Sequence, residues 1–184
     1  PRWDVGCIGR GSKTGQCVCV RATLNMQPGG RERAMQLTLQ TDYALRTLLY
    51  LAMADGSPVP VRRIAESYQI SESHLVKVVQ RLVGLGYVRS QAGRGGGVCL
   101  AMLPSEIGVG KVVREIEPTL APLGCLEEDA SSQDQCVIIR ACALRGALRR
   151  AMDEFLGVLD GYTIADCVGT PVRSQLLLHI QPAV

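Results

Sequence analysis

The sequence lacks any long apolar stretch. No run of about 18 apolar residues, which a membrane-spanning helix needs, occurs in the 184-residue chain. The N-terminal region also lacks the short apolar stretch followed by small residues that marks a signal peptide. We therefore expect a cytoplasmic protein that makes no membrane contact.

Two signatures of catalysis are also missing. The chain has no C-x-x-C pair and no thiol near a histidine and a carboxylate, which a redox enzyme would need. Its glycine-rich segment, residues 93–97, joins two strand-like runs, whereas a nucleotide-binding loop leads from a strand into a helix. These absences predict a protein that is not an enzyme.

Charge is unevenly distributed along the chain. The net charge of +3 arises in residues 1–34, with six Lys and Arg against two Asp and Glu, whereas the balance from Met35 onward is fourteen against fifteen. Residues 61–95 carry six basic and two acidic side chains, and residues 115–135 carry six acidic ones and no basic one. This pattern predicts a polyanion-binding face separated from a second site, with two ordinary solvated surfaces as the alternative.

Residues 1–34 are rich in Gly and Arg, do not start with Met and show no apolar periodicity. We expect this leader to be disordered or not native. Its Cys7, Cys17 and Cys19 are interpreted as incidental thiols, because no second pair at zinc-finger spacing follows them. No function is assigned to the leader or to the tail after Val168.

Apolar periodicity predicts three helices, over residues 38–54, 61–68 and 71–85, the last with Ser71 as its N-cap. The first is expected to pack through Leu45, Leu48, Leu49 and Ala52, and the third through Leu75, Val78, Val79, Leu82 and Leu85. The second and third helices are joined by a short turn, which is the form of a helix-turn-helix, although any short helical hairpin resembles it.

A predicted β-hairpin follows, with two β-branched runs on either side of the glycine-rich segment. A helix-turn-helix followed by a basic hairpin is a winged helix. In that arrangement the third helix lies in the major groove of DNA, and the glycine tip approaches the phosphate backbone. The predicted DNA-contacting residues are Arg62, Ser73, His74, Lys77, Gln80, Arg81, Arg94 and Gly95.

Three cysteines downstream, Cys125, Cys136 and Cys142, have the spacing C-x10-C-x5-C and can converge on one metal centre. Spacing alone leaves an iron–sulphur cluster and zinc equally open. A helix is expected to begin near Cys136 and to carry a heptad stripe of Val137, Ala141, Leu144, Leu148, Ala151, Phe155 and Val158. That stripe predicts a partner helix in a dimer, and the alternative is packing on the domain's own core.

Four segments of the chain resemble those of a known protein family. The segments MQLTLQTDYALRTLLYLA, ISESHLVKVVQRLVGLGYVRSQAGRGGGVCL, VVREIEP and FLGVLDGYTIADCV, within residues 35–168, together resemble the NsrR family of nitric-oxide-sensitive repressors, which is related to IscR. The glycine-rich wing, VVREIEP and the three-cysteine loop occur in one order that a generic winged helix would not reproduce. The chain departs from the family in the ten residues between Cys125 and Cys136, where the family usually has fewer.

The resemblance implies a homodimer that binds a double-stranded DNA operator and carries an iron–sulphur cluster, [4Fe-4S] in preference to [2Fe-2S], rather than zinc. It implies that Cys125, Cys136 and Cys142 hold the cluster together with Asp42 from the partner's first helix, which stands at the matching position of TDYALR. Otherwise Asp42 is a surface or capping carboxylate. Cys99 and Cys167 match no cluster position and are interpreted as buried or incidental thiols.

The predicted fold class is mainly α with a small β-hairpin wing, a winged helix-turn-helix plus a long dimerisation helix. The predicted segments are a leader (1–34), the DNA-binding domain (35–104), a connecting helix and cluster-binding loop (105–135), the dimerisation helix (136–162) and a tail (163–184). The expected function is a repressor that releases DNA when nitric oxide attacks its cluster. The alternatives are a regulator of cluster-assembly genes and a zinc-bound winged-helix regulator.

Overall fold

The computed structural model describes residues 36–54, 56–93, 95–127 and 136–169. By its contacts the chain divides into Pro1–Ala34 and Met35–Val184, and every described residue belongs to the second unit. The expectations for the leader, for Arg94 and for the tail beyond residue 169 lie outside the described residues. The described elements are, in order, helices α1 (Leu39–Met53), α2 (Val61–Tyr68) and α3 (Glu72–Gly84), strands β1 (Val88–Gln91) and β2 (Gly97–Leu100), and helices α4 (Val109–Ile116), α5 (Ala143–Asp160) and α6 (Ile164–Cys167).

This element order confirms the predicted fold class, mainly α with one antiparallel hairpin. Two short 3-10 turns, Pro104–Glu106 and Gly124–Leu126, lie in the connections before and after α4. None of the described helices is long and apolar enough to cross a membrane.

Helix α1 forms the centre of the core and contacts α3, α4, α6 and β2. Thr38 caps its N-terminus by accepting a hydrogen bond from the backbone N–H of Thr41, at 3.4 Å. The predicted packing face is confirmed: Leu48 is buried, and Leu45, Leu49 and Ala52 are half-buried and pack against the core. Because α1 is covered on several sides, its buried set extends beyond one stripe, to Thr41, Ala44, Thr47, Leu48, Tyr50 and Leu51.

The helix-turn-helix has the predicted bounds at α2 and ends one residue earlier than predicted at α3. Gln69 makes the turn in a left-handed conformation, φ 54° and ψ 40°, and its backbone N–H donates to the carbonyl of Ala65 at the end of α2. Leu75, Val78, Val79 and Leu82 are buried, as the periodicity predicts. Leu85 was expected to pack with them, but it lies just after the last helical turn and is 36% exposed.

The wing pairs Val88 with Leu100 and Gln91 with Gly97 at its two ends. Val59, just before α2, adds a further bridge to Val98, with N–O distances of 2.8 and 2.9 Å in the two directions. A Cβ at Gly97 would collide with the Val59 backbone, so only glycine permits this close approach. The hairpin is therefore fixed to the start of the helix-turn-helix.

Helix α5 begins at Ala143, and the expectation that it begins near Cys136 is wrong. Residues 137–141 form turns. Their run of Val137, Ile138 and Ile139 is β-branched and disfavours a helix. The helix begins where the Cys142 sulphur accepts the backbone N–H of Arg145 at 3.4 Å, which is an N-cap interaction.

Helices α4 and α5 pack closely at Gly110 and Asp160. A Cβ on Gly110 would meet both the Asp160 carboxylate and its backbone nitrogen. The carboxylate also accepts two hydrogen bonds from the Arg114 guanidinium, at 2.5 and 2.6 Å, which lower the pKa of Asp160. Val112 and Ile116 of α4, and Ile107 just before it, belong to the same hydrophobic core as the helix-turn-helix.

We predict that Gly110→Ala destabilises the fold by about 1–3 kcal/mol, the usual cost of forcing extra volume into a packed contact. Gly84→Ala is the matched control, because its added Cβ meets no atom within 4 Å. Urea unfolding of both variants measures the difference. Equal stability of the two would mean that α4 and α5 do not approach closely at Gly110.

Candidate DNA interface and cysteine loop

The polar face of α3 is open to solvent. Ser73, His74, Lys77 and Gln80 are all exposed, opposite the buried Leu75, Val78, Val79 and Leu82. The Ser71 and Ser73 hydroxyls lie 2.9 Å apart at the start of the helix. This face presents donors, acceptors and a positive charge along one side of a helix, which is what contact with base edges requires.

Two arginines extend this positive surface on α2. Arg62 is exposed and forms an ion pair with Glu66 at 2.8 Å. Arg63, beside it, is also exposed, although it was not among the predicted contact residues. Its place in the basic stretch was the only sequence signal for it. Arg62 and Arg63 lie on the helix that precedes α3, where side chains can reach phosphates.

Arg81 differs from the other predicted DNA contacts. Its Nη2 donates a hydrogen bond of 2.7 Å to the backbone carbonyl of Glu115 at the end of α4. The Glu115 carboxylate in turn accepts from the Tyr87 hydroxyl at 2.6 Å. Sequence periodicity gave the face on which Arg81 lies but not its partner, because the partner comes from a helix 34 residues further on.

The turn at the tip of the wing contains two glycines with positive φ. Gly93 has φ 103° and Gly95 has φ 78°, a backbone conformation that other residues rarely adopt. Gly95 is exposed. Arg89 on β1 is exposed as well, and it was not among the predicted contacts.

The three cysteines of the loop are half-buried and free of disulphides. Cys125 lies in the 3-10 turn Gly124–Leu126, and Cys142 caps α5. Arg145 joins these two, because its backbone N–H binds the Cys142 sulphur and its Nε donates to the Cys125 carbonyl at 3.0 Å. Within the described residues, no three His, Cys, Asp or Glu side chains are already arranged to hold a metal ion.

An open groove of about 810 Å³ lies beside this region, between residues 118–127 and α5. Its lining includes the apolar side chains of Leu120, Leu126, Met152 and Leu156 and the charged side chains of Arg149 and Asp153. The segment that leads to Cys125 therefore lies along the side of α5.

Asp42 lies in the first turn of α1, with 38% of its side chain exposed. Its Oδ1 accepts from the Arg46 Nε at 2.8 Å. The Arg46 guanidinium also lies 5.8 Å from the centre of the Tyr68 ring, and burial raises the pKa of Tyr68 to about 12. The Asp42 carboxylate is thus held by a neighbour on its own helix while remaining accessible to another molecule.

The other two described cysteines lie elsewhere in the fold. Cys99 is buried in the wing, with its sulphur 3.9 Å from the Arg89 carbonyl. Cys167 lies in α6 against the core, where burial and the neighbouring Asp166 raise the pKa of its thiol. These positions agree with their interpretation as packing residues.

The chain matches the model of the Rrf2 family, described as an iron-dependent transcriptional regulator, over residues 37–170. It is 46% identical over 145 residues to the HTH-type transcriptional regulator NsrR of Geobacillus kaustophilus, covering 78% of this chain and 97% of that relative. It is 43% identical over 148 residues to the NsrR of Bacillus subtilis, covering 80% and 99% of the two chains.

Solved structures of other proteins superpose on this fold. CymR of B. subtilis, the global cysteine regulator, superposes with a TM-score of 0.52 at 27% identity and covers 73% of this chain and 97% of its own. The IscR of T. potens superposes with a TM-score of 0.56 at 24% identity and covers 80% and 93%.

We predict that replacing His74 or Gln80 with Ala changes which DNA sequence is preferred, because each good base contact contributes about 1–3 kcal/mol of discrimination. A selection from randomised DNA sites measures the preference. Arg63→Gln is the control: loss of a phosphate contact should weaken binding to all sequences alike. An unchanged preference when both His74 and Gln80 are replaced would exclude α3 as the reading helix.

Proposed function

Since the chain belongs to the Rrf2 family of transcriptional regulators, among its NsrR-type members, we propose that it is a homodimeric repressor that senses nitric oxide through an iron–sulphur cluster. The coarser part of this statement is established by family membership: the protein is a DNA-binding transcriptional regulator and not an enzyme. The proposal adds the dimer, the cluster, the signal and a location in the cytoplasm with the operator DNA.

The exposed face of α3 is the observation that supports operator binding. Four polar side chains on it are free of the core, and Arg62 and Arg63 add positive charge on α2. The wing backbone at Gly93 and Gly95 has no Cβ to keep it from a phosphate. In this proposal α3 reads bases, whereas α2 and the wing supply the contacts to phosphates that carry affinity.

The apolar stripe of α5 supports the homodimer. Leu144 is 61% exposed and Val158 is 62% exposed, and Leu148 and Phe155 between them are only half-buried. No residue of α5 is fully buried by the described part of the chain. Two copies of such a stripe, repeated by four and three, bury each other as a helix pair. A two-fold dimer would present two copies of α3 to the two halves of an operator.

The chemistry of the available side chains supports the cluster. Cys125, Cys136 and Cys142 are free thiols, and thiolates are the ligands that iron–sulphur clusters take in proteins. Arg145 holds two of the three near the first turn of α5. In the proposed dimer Asp42 of the partner subunit supplies the remaining ligand. When bound, the cluster would supply iron that reacts with nitric oxide, with [4Fe-4S] favoured over [2Fe-2S].

A carboxylate suits the sensing step better than a fourth thiolate would. Carboxylate oxygen is a harder and weaker ligand for cluster iron than thiolate sulphur, so Asp42 can be displaced without breaking an iron–sulphur bond. The exposed Asp42 carboxylate on α1 is accessible for this role.

Two alternatives differ in metal or signal. A zinc-bound regulator would use the same cysteines, but the description of the matching family as iron-dependent favours iron. A regulator of cluster-assembly genes would share the fold, as the likeness to T. potens IscR illustrates, yet the relatives at 43% and 46% identity carry the NsrR name. The nitric oxide response is therefore the function we propose first.

We predict that Cys136→Ala and Cys142→Ser each abolish cluster binding and reduce operator affinity to that of the cluster-free protein. Serine at 142 keeps an acceptor that can cap α5, so the helix start is preserved while the thiolate is lost. Iron, sulphide and zinc analysis after anaerobic purification measures occupancy. Cys167→Ala is the matched control and should keep its iron, since that thiol lies outside the loop.

Operator affinity should then be measured for holo, apo and nitrosylated protein at one salt concentration, because affinity for DNA varies steeply with salt. Equal affinity in the three states would refute the sensing function even if the cluster is present. Stoichiometric zinc without sulphide would establish the zinc alternative instead.

We predict that Asp42→Ala keeps a cluster but changes the rate at which it reacts with nitric oxide, followed by the change in absorbance after rapid mixing. Arg46→Gln is the matched control, because it removes the Asp42–Arg46 ion pair and leaves the carboxylate in place. Only the Asp42 variant should differ strongly from the wild type. The same reaction rate in both variants and the wild type would show that Asp42 is not a ligand.

A further inference from the structure

The last turn of α4 is joined by side chains to both parts of the DNA-reading unit. Glu115 is at the centre of these contacts. Its carboxylate accepts the Tyr87 hydroxyl at 2.6 Å, and its backbone carbonyl accepts the Arg81 guanidinium at 2.7 Å. Lys111, one turn earlier on α4, lies 3.9 Å from the other carboxylate oxygen and 5.9 Å from the Tyr87 ring centre.

Tyr87 occupies the junction between α3 and the wing. Its backbone N–H donates to Leu82 of α3 at 3.0 Å, and its carbonyl accepts from Ala101 just after β2 at 2.9 Å. Only 2% of the residue is exposed. Burial and the Glu115 carboxylate raise the pKa of Tyr87, so the phenol remains a hydrogen-bond donor at physiological pH.

Arg81 brings the last turn of α3 to the same point. It is a member of the polar face of α3, and its guanidinium lies against the end of α4. Through Arg81 and Tyr87, one residue of α4 is therefore bonded to the reading helix and to the residue that begins the wing. A hydrogen bond to an ionised carboxylate is about twice as strong as a neutral one, which favours a defined geometry here.

The other end of this connection leads to the cysteine loop. Glu117, two residues after Glu115, accepts the backbone N–H of Thr38 at 2.7 Å and its hydroxyl at 3.2 Å. Thr38 is the N-cap of α1, the helix that carries Asp42. Pro118 follows at once and starts the segment that runs beside α5 to Cys125.

We propose that Glu115 is the positioning residue through which the cysteine loop sets the placement of the reading helix and wing. This inference rests on the proposed function. A change of ligation at the loop displaces residues 118–127 and with them the end of α4. Because Glu115 holds α3 and the start of the wing together, that displacement moves both as one unit. Coupling of this kind requires an element whose arrangement both sites bias, and we assign that role to the last turn of α4 because its contacts lead to the reading unit on one side and to Thr38 on the other.

The test compares operator affinity with and without the cluster. Couplings between two sites in proteins are typically about 5- to 150-fold, and we expect a ratio within that range for the wild type. Tyr87→Phe removes one hydroxyl and leaves the buried ring in place, and Glu115→Gln removes the charge. In both variants we expect the affinity ratio of loaded to cluster-free protein to fall towards one, chiefly through loss of affinity in the loaded form.

Tyr162→Phe is the matched control. Tyr162 is half-exposed after α5, and its hydroxyl makes no hydrogen bond among the described residues. It should keep the wild-type ratio. Thermal unfolding of each cluster-free variant tests folding, and if Glu115→Gln does not fold, Tyr87→Phe decides the question alone.

The outcomes separate the two proposals. If wild-type affinity is the same with and without the cluster, the proposed function fails and takes this inference with it. If the wild type shows the difference and Tyr87→Phe retains it in full, the proposed function stands and Glu115 is not the positioning residue. If both affinities of Tyr87→Phe fall by the same factor, the contact is merely structural and the inference is overturned.

Discussion

Helix α1 makes contact with α3, α4, α6 and β2, and Ala44 and Leu48 at its centre are fully buried. Helices α2 and α5 and strand β1 do not need to touch α1 themselves, because each packs against an element that does: α2 and β1 against α3, and α5 against α4. Truncation of a leucine in such a position typically costs about 2–5 kcal/mol, a large part of the stability of a small domain. The same helix carries Asp42 in its first turn, so the proposed ligand is attached to the helix at the centre of the core.

Local patterns in the sequence predicted the helix-turn-helix and the wing well. The apolar spacing predicted both bounds of α2 and the buried face of α3. In a short amphipathic helix the buried residues recur at helical spacing, so the sequence alone shows which face is buried. The start of helix α5 was harder to predict from the sequence. Its heptad stripe was visible, but its start depends on the sulphur of Cys142, and cysteine is not among the residues that usually signal an N-cap.

Apart from the Cys142 cap, the unpredicted contacts that shape the fold are long-range. The Val59–Val98 bridge, the approach of Gly110 to Asp160 and the Tyr87–Glu115 hydrogen bond each join residues that no local pattern relates. The acidic segment illustrates the same limit. Its charges suggested a separate surface, yet Glu115 and Glu117 are used inside the fold, where they tie α4 to the wing and to α1. The spacing of the three cysteines likewise predicted a ligand set but not its arrangement.

The hydrogen bond from the Arg145 amide to the Cys142 sulphur has a consequence for redox chemistry in the proposed holo-protein. Amide donors directed at ligand sulphurs are among the features that set the reduction potential of an iron–sulphur centre. Here the donor belongs to the main chain at a helix start, where the partial positive charge of the helix is also directed at the sulphur. No ordinary side-chain replacement at position 145 removes that N–H, and only proline would. In the proposed holo-protein, this one contribution to the reduction potential would therefore persist through substitutions of the Arg145 side chain other than proline.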